Sequence, residues 1–215
     1  MKRFVFFLVV ACTAASLFAQ VPLPEYQFAA GNWGLTTTRL YQNDTRAGLA
    51  KVNIRAPQSG PMIYEFNARY ENGLQDGHGG FGLHIFVDSA YNGPSWGAGN
   101  SYLLWLNYDE NPITRGIPRG FSAQVYKSKT NSVMDLVQSF DLNQYLSLVT
   151  NDVLANPVTA KIWVDGNTGE VRVYDPSDPA LEYYFYFFLD PKDLPLRGNW
   201  VALRTNGVSL SFGLN

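Results

Sequence analysis

The sequence predicts an all-β protein, an antiparallel two-sheet β-sandwich of the jelly-roll type with one short helix. Three observations carry this. Four consecutive segments, 64–70, 81–87, 102–108 and 121–127, alternate apolar and polar residues over a strand's length. Turn residues separate them: Asn72-Gly73, Asp76-Gly77, Gly79-Gly80, Asn92-Gly93-Pro94 and Asn111-Pro112. Helical spacing occurs in a single stretch, 141–154. Side chains on a strand point to opposite faces with a period of two, so this alternation marks half-buried strands. Short strands at regular intervals, with Gly and Pro between them, favour a sandwich over a parallel α/β fold.

Each element has its own signal. The chain opens Met1-Lys2-Arg3, runs apolar from Phe4 to Ala11 and reaches Leu17-Phe18-Ala19 before Gln20. A basic start, a short apolar run and a small residue at the cut are the parts of a secretory signal peptide. We therefore expect a signal peptide over 1–19, a single domain over 20–215, and export to the periplasm or the cell exterior. The competing processing is at Val9-Val10-Ala11-Cys12, with the sole cysteine lipidated; it leaves an unusually short signal. Strands are expected at 26–30, 37–42 and 50–55, closed by Gly31-Asn32-Trp33-Gly34, Asn43-Asp44 and Pro57 with Gly60. The four alternating segments follow, and then a strand over 132–140.

The stretch 141–154 departs from this pattern. Leu142, Leu146, Val149 and Val153 recur at helical intervals, and Asp141 with Gln144 forms a capping-box arrangement. Segments 160–164 and 170–174 flank Asp165-Gly166-Asn167-Thr168-Gly169 as a hairpin. Segments 200–205 and 208–212 flank Asn206-Gly207, a strong two-residue hairpin signal. Between them, 183–188 gives six aromatics in succession. The favoured reading is a central strand buried on both faces; the sharper one is an exposed stripe packing on another subunit. Trp33, Trp96, Trp163 and Trp200 read as core or loop anchors, with the Trp96 loop placed to overhang a sheet.

On the four alternating strands, one face collects Tyr64, Phe66, Ala68, Tyr70, Phe81, Leu83, Ile85, Val87, Tyr102, Leu104, Leu106, Phe121, Ala123 and Val125. That set builds a core. The other face collects Glu65, Asn67, Arg69, His84, Trp105, Asn107, Gln124 and Tyr126. Sugars need hydroxyl partners and an aromatic plate, and Trp with Arg, Gln and His supplies both. The candidate ligand-binding residues are Arg69, His84, Trp105, Asn107, Gln124 and Tyr126. The competing reading buries His84 and Trp105 beneath a loop or second layer.

The order of elements resembles the concanavalin A-like lectin/glucanase superfamily, which includes laminin G-like domains. Three stretches carry the resemblance. The first is Gly79-Gly80-Phe81-Gly82-Leu83-His84-Ile85-Phe86. The second is the pair Asn100-Ser101-Tyr102-Leu103-Leu104-Trp105 and Gly120-Phe121-Ser122-Ala123-Gln124-Val125-Tyr126. The third is the closing run from Gly198 through Trp200, Leu203 and Arg204 to Val208. The resemblance spans about Tyr26 to Phe212 and implies a curved sheet whose concave face binds sugars or proteins.

Other chemistry is thinly represented. Hydrolases of this superfamily carry a tight Glu-x-Asp-x-x-Glu strand, whereas Glu25, Glu65, Glu71, Glu110, Glu170 and Glu182 are scattered. His78 and His84, the two histidines, form a weak zinc pair. No cofactor is assigned. Calcium, common in the superfamily, stays unassigned too, with Asn107, Asp109, Glu110 and Asn111 as the densest oxygen cluster and Asn43 with Asp44 a lesser one. The formal net charge is −2 without a Lys/Arg cluster, which argues against nucleic acid as a partner. Beyond the signal, no stretch is long and apolar enough for a transmembrane helix. The leading expectation is an exported, non-catalytic recognition module binding glycan or an envelope protein. The alternative is a self-assembling structural subunit of a periplasmic or surface assembly, such as a flagellar outer layer. A polysaccharide hydrolase ranks third.

Overall fold

The computed structural model describes residues 25–73, 79–144, 158–174 and 183–213. The expected signal peptide, nearly all of the expected helix, His78 and Glu182 lie outside the described residues. Among the described residues fourteen strands follow one another, beginning with β1 (Tyr26–Ala30), β2 (Trp33–Leu35), β3 (Arg39–Gln42), β4 (Ala50–Ser59), β5 (Pro61–Gly73), β6 (Gly80–Val87) and β7 (Ser101–Asp109). There follow β8 (Gly120–Ser128), β9 (Met134–Asp141), β10 (Val158–Asp165), β11 (Glu170–Tyr174), β12 (Tyr183–Phe188), β13 (Arg197–Asn206) and β14 (Val208–Gly213). The Gly31–Gly34 segment, expected as a turn, contributes the short strand β2.

Two seven-stranded sheets result. One runs β1-β4-β13-β6-β7-β8-β9 and the other β12-β11-β10-β5-β14-β3-β2. We call them the front and back sheets. Every pairing is antiparallel, as between β7 and β8 or β5 and β10. Inward side chains of both sheets meet in one core: Leu83, Ile85, Tyr102, Val125 and Leu203 from the front, Tyr64, Ala68, Val164, Val171 and Phe212 from the back. Phe140 of β9 stacks on Phe185 of β12 at 4.3 Å, and Phe81 meets Phe212 edge-on at 6.0 Å. The two layers are thus joined at a sheet margin as well as at the centre.

One expected core position is wrong for a specific reason. The alternation of β6 breaks at Phe86, which holds φ +57° and turns into the core beside Ile85. Trp200 pairs with Val87 while Ala202 pairs with His84, so three steps of β6 oppose two of β13. This is a β-bulge. Its freed amide is satisfied from within: Phe86 N donates to Gln58 Oε1 at 2.8 Å, and the Tyr64 hydroxyl donates to the same oxygen at 2.6 Å. Gln58 Nε2 in turn donates to the Trp200 carbonyl at 2.7 Å. The bulge rotates Val87 to the opposite face, where it packs with Ala98 and Ala202.

The aromatic run also corrects an expectation. β12 is not a central strand but an edge of the back sheet. Phe187 is buried, whereas Tyr186 and Phe188 are 55% and 57% exposed. One face of the run serves the core and the other faces outward.

Candidate functional site

The outward face of the front sheet is the candidate site. Register places its residues in rows across the strands. Lys51, Arg204, Gly82, Trp105 and Gln124 form one row. Asn53, Ala202, His84, Leu103 and Tyr126 form the next. Of the expected ligand residues, His84, Trp105, Asn107, Gln124 and Tyr126 therefore come together. Arg69 does not. It lies on β5 of the back sheet, where it clasps Glu71 at 2.8 Å on the opposite side of the sandwich. Strict alternation gives each strand's faces but not which sheet the strand joins, so Arg69 was grouped with the wrong layer.

The face is not an open platform. The β6–β7 connection, residues 88–100, folds back across it. Val87, turned outward by the bulge, seats Ala98 and Tyr91. Asn53 Nδ2 donates to the Tyr91 carbonyl at 3.0 Å, and Ala98 N donates to Ser128 Oγ at 3.0 Å. Gly97 N donates to the Asn131 carbonyl at 3.0 Å. Lys51 Nζ donates to Ser95 Oγ at 2.7 Å and reaches the Gly97 carbonyl at 3.5 Å. Arg204 Nη1 donates to the Trp96 carbonyl. In consequence Trp105 is only 7% exposed, and Lys51, Asn53, His84 and Arg204 are fully buried.

Beneath the connection the polar groups are ordered. Gln124 Nε2 donates to Asn107 Oδ1 at 2.7 Å, Ser122 Oγ donates to the same oxygen at 3.0 Å, and the Tyr126 hydroxyl donates to Gln124 Oε1 at 2.6 Å. The Trp105 indole lies against β6, where a Cβ on Gly82 would stand 2.7 Å from its ring. That close approach explains the Gly80-Phe81-Gly82 spacing. The Arg204 guanidinium sits between two indoles, 4.9 Å from Trp96 and 5.7 Å from Trp105. Trp96 itself is 49% exposed, so the stack presents an indole to solvent.

Two neighbouring cations, Lys51 and Arg204, set the electrostatics of this layer. Burial lowers Lys51 to about 8, with the neighbouring Arg204 charge acting in the same direction. Burial lowers Arg204 to about 10. His84 is held well below its ordinary value by burial first, then by Arg204 and Lys51, while the Trp96 carbonyl pulls the other way. His84 Nδ1 is 3.1 Å from Ser101 Oγ. Lys51, Arg204 and Trp96 were not among the residues expected to bind ligand. The signal for the first two was present: Lys51-Val52-Asn53 and Ala202-Leu203-Arg204 alternate in the manner of the four middle strands.

In the oxygen cluster around Asp109 the side chains have partners within the protein. Asp109 Oδ1 accepts from Asn111 N at 2.8 Å, Glu110 pairs with Arg119 at 2.7 Å, and Asn107 belongs to the Gln124 network. Those contacts make a turn and a network of its own. Among the described residues no group of three or more His, Cys, Asp or Glu side chains stands together.

Comparison with known proteins bears on the fold. No family model and no curated protein matches the chain in sequence. Solved structures do match. A Bacillus subtilis protein of unknown function with a galectin-like fold aligns with TM-score 0.55 at 12% identity, over 88% of this chain and 86% of that one. A legume lectin-like domain from Entamoeba histolytica gives 0.53 at 11% identity, over 87% and 86%. The lectin from Bauhinia forficata, solved in complex with GalNAc, gives 0.50 at 14% identity, over 91% and 94%. These likenesses show a shared fold, an antiparallel two-sheet jelly roll. At these identities the likeness speaks for architecture, and the site rests on the geometry above.

Proposed function

We propose that this chain is an exported, non-catalytic recognition module that binds glycan on the outward face of the front sheet. The observation that carries the reading is Trp96, half exposed and held over that face by its own carbonyl and ring, both engaged by Arg204. An indole facing solvent is the plate on which a sugar ring stacks. Tyr126, partly exposed and tied to Gln124, adds a hydroxyl on the same face. The lectins among the similar folds support the class of ligand by analogy. A glycan array probed with the chain from Gln20 onward, with Trp96→Ala alongside, tests it. Binding weakened about tenfold or more in the variant is expected; silence across the array defeats the reading. Mass spectrometry of the exported protein checks the processing, with Gln20 at the N-terminus expected and an acylated Cys12 refuting it.

A second reading, a self-assembling envelope subunit, has one observation in its favour. The outer face of the back sheet carries Ile63, Tyr186 and Phe188 exposed, with Ile63 opposite Trp163, Trp163 opposite Arg172 and Arg172 opposite Tyr186. Apolar groups in register across an outer sheet face suit contact with another chain. Concentration-dependent size by light scattering, abolished in a Tyr186→Ser/Phe188→Ser variant, is the result this reading requires.

A further inference from the structure

Among the described residues, two buried cations on the front sheet have no carboxylate partner. Lys51 and Arg204 are directly opposed on β4 and β13, so their side chains leave the sheet side by side. Both are fully buried. Among the described residues neither pairs with a carboxylate; Lys51 has a serine hydroxyl and a carbonyl, and Arg204 has a carbonyl. Moreover, Arg204 Nε and Nη2 have no hydrogen-bond partner there. These two atoms form the side-on fork of the guanidinium, which matches the two oxygens of a carboxylate or sulfate. Asn53 Oδ1 is buried without a hydrogen-bond partner in the adjoining row. Buried polar groups are nearly always paired, so a cluster of unpaired ones on a single face needs a reason. Burying two like charges side by side costs stability, which a purely structural layer would avoid with apolar residues.

We infer that Lys51 and the Nε–Nη2 fork of Arg204 form a binding site for an anionic group, carboxylate or sulfate, carried by a sugar. This rests on the glycan reading and narrows it to acidic glycans. The Trp96 and Gly97 carbonyls and the Ser95 hydroxyl now hold the cations that the anion would take over. Entry requires residues 93–97 to lift. Gly93 and Gly99, at φ +83° and +58°, flank that segment as hinges. A sugar stacked on Trp96 would carry its anionic substituent inward past the lifted segment.

The test uses matched oligosaccharides that are neutral, uronic or sulfated, titrated by calorimetry against the wild type, Lys51→Met and Arg204→Lys. Arg204→Lys keeps the charge and removes the fork. Lys51→Met removes a buried charge and is expected to fold, which guards against a null result from misfolding. The expected result is at least about tenfold tighter binding of an acidic member than of its neutral counterpart, with that preference diminished in both variants. The uronic and sulfated arms distinguish the two anion sources. Equal binding of neutral and acidic members overturns the anion site and leaves the glycan reading standing. An acidic preference that survives in both variants also overturns it, by placing recognition elsewhere. Absence of binding by every member defeats both readings.

Discussion

Replacing Lys51 with Met should stabilise the protein and remove a rise in stability at alkaline pH. The wild-type ammonium titrates at about 8 in the folded chain against an ordinary 10.5, because burial and the Arg204 charge disfavour its protonated form. Between those values the unfolded chain holds a proton that the folded chain has released, so stability rises with pH. One pKa unit corresponds to about 1.4 kcal/mol, so going from about pH 7 to about pH 9.5 adds roughly 1–2 kcal/mol; the lower end allows for solvent screening through the covering segment. The window closes near pH 10, where unfolded tyrosines ionise. Tyr64 and Tyr102 are held above that range by burial, and the Asp193 carboxylate reinforces the effect at Tyr102, so stability falls again. In Lys51→Met the charge is absent at every pH. Its stability near neutrality should exceed wild type by roughly 1–2 kcal/mol, or about 3–6 °C in Tm. Urea unfolding followed by tryptophan fluorescence, in steps across this pH range, measures both effects. A wild type that loses stability between about pH 7 and 9.5, or a variant retaining the wild-type slope, would refute the argument.

Three further outcomes follow from the packing. Gln58→Leu leaves the Phe86 amide and the Tyr64 hydroxyl without their shared acceptor, and should cost about 2–4 kcal/mol in urea unfolding; a loss below about 0.5 kcal/mol would mean the bulge does not depend on Gln58. Gly82→Ala puts a methyl 2.4 Å from the Leu104 carbonyl and 2.7 Å from the Trp105 ring, so about 1–3 kcal/mol of stability and a changed near-UV signal are expected. Gln124→Leu removes the acceptor of the Tyr126 hydroxyl and a donor to Asn107, and should cost about 1–3 kcal/mol. An unchanged melting temperature in Gln124→Leu would show that the network contributes little.

Most strands were legible because each carries its own signal. β1 and β11 have the expected bounds, since period-two patterning and turn residues mark them locally. Three things were not legible, each for a physical reason. Sheet membership depends on pairing between distant segments, so Arg69 joined the wrong layer. The bulge depends on Gln58, which lies 28 residues before Phe86, and nothing near Phe86 announces that Val87 will turn outward. The exposure of Tyr186 and Phe188 follows from their place on the outer face of the back sheet, where Ile63 of the central strand β5 is exposed too, and a six-residue aromatic run does not announce which of its faces meets solvent.

The bulge links the least legible part of the fold to the site. Without the extra residue, Val87 would point into the core and the chain would leave β6 from the other face. The segment 88–100 would then lose its seat on Val87 and Ala202, and Trp96 would not stand over Arg204. The covering also determines what kind of charge the site can recognise. The whole chain is weakly acidic, with a formal charge of −2, so its long-range field does not draw anions in. Lys51 and Arg204 act only at contact range, inside a layer where screening is weak and an unmatched charge is costly. A site of this construction discriminates by whether the anionic oxygens reach the fork. Total ligand charge counts for little, which separates it from a basic surface patch that gathers any polyanion.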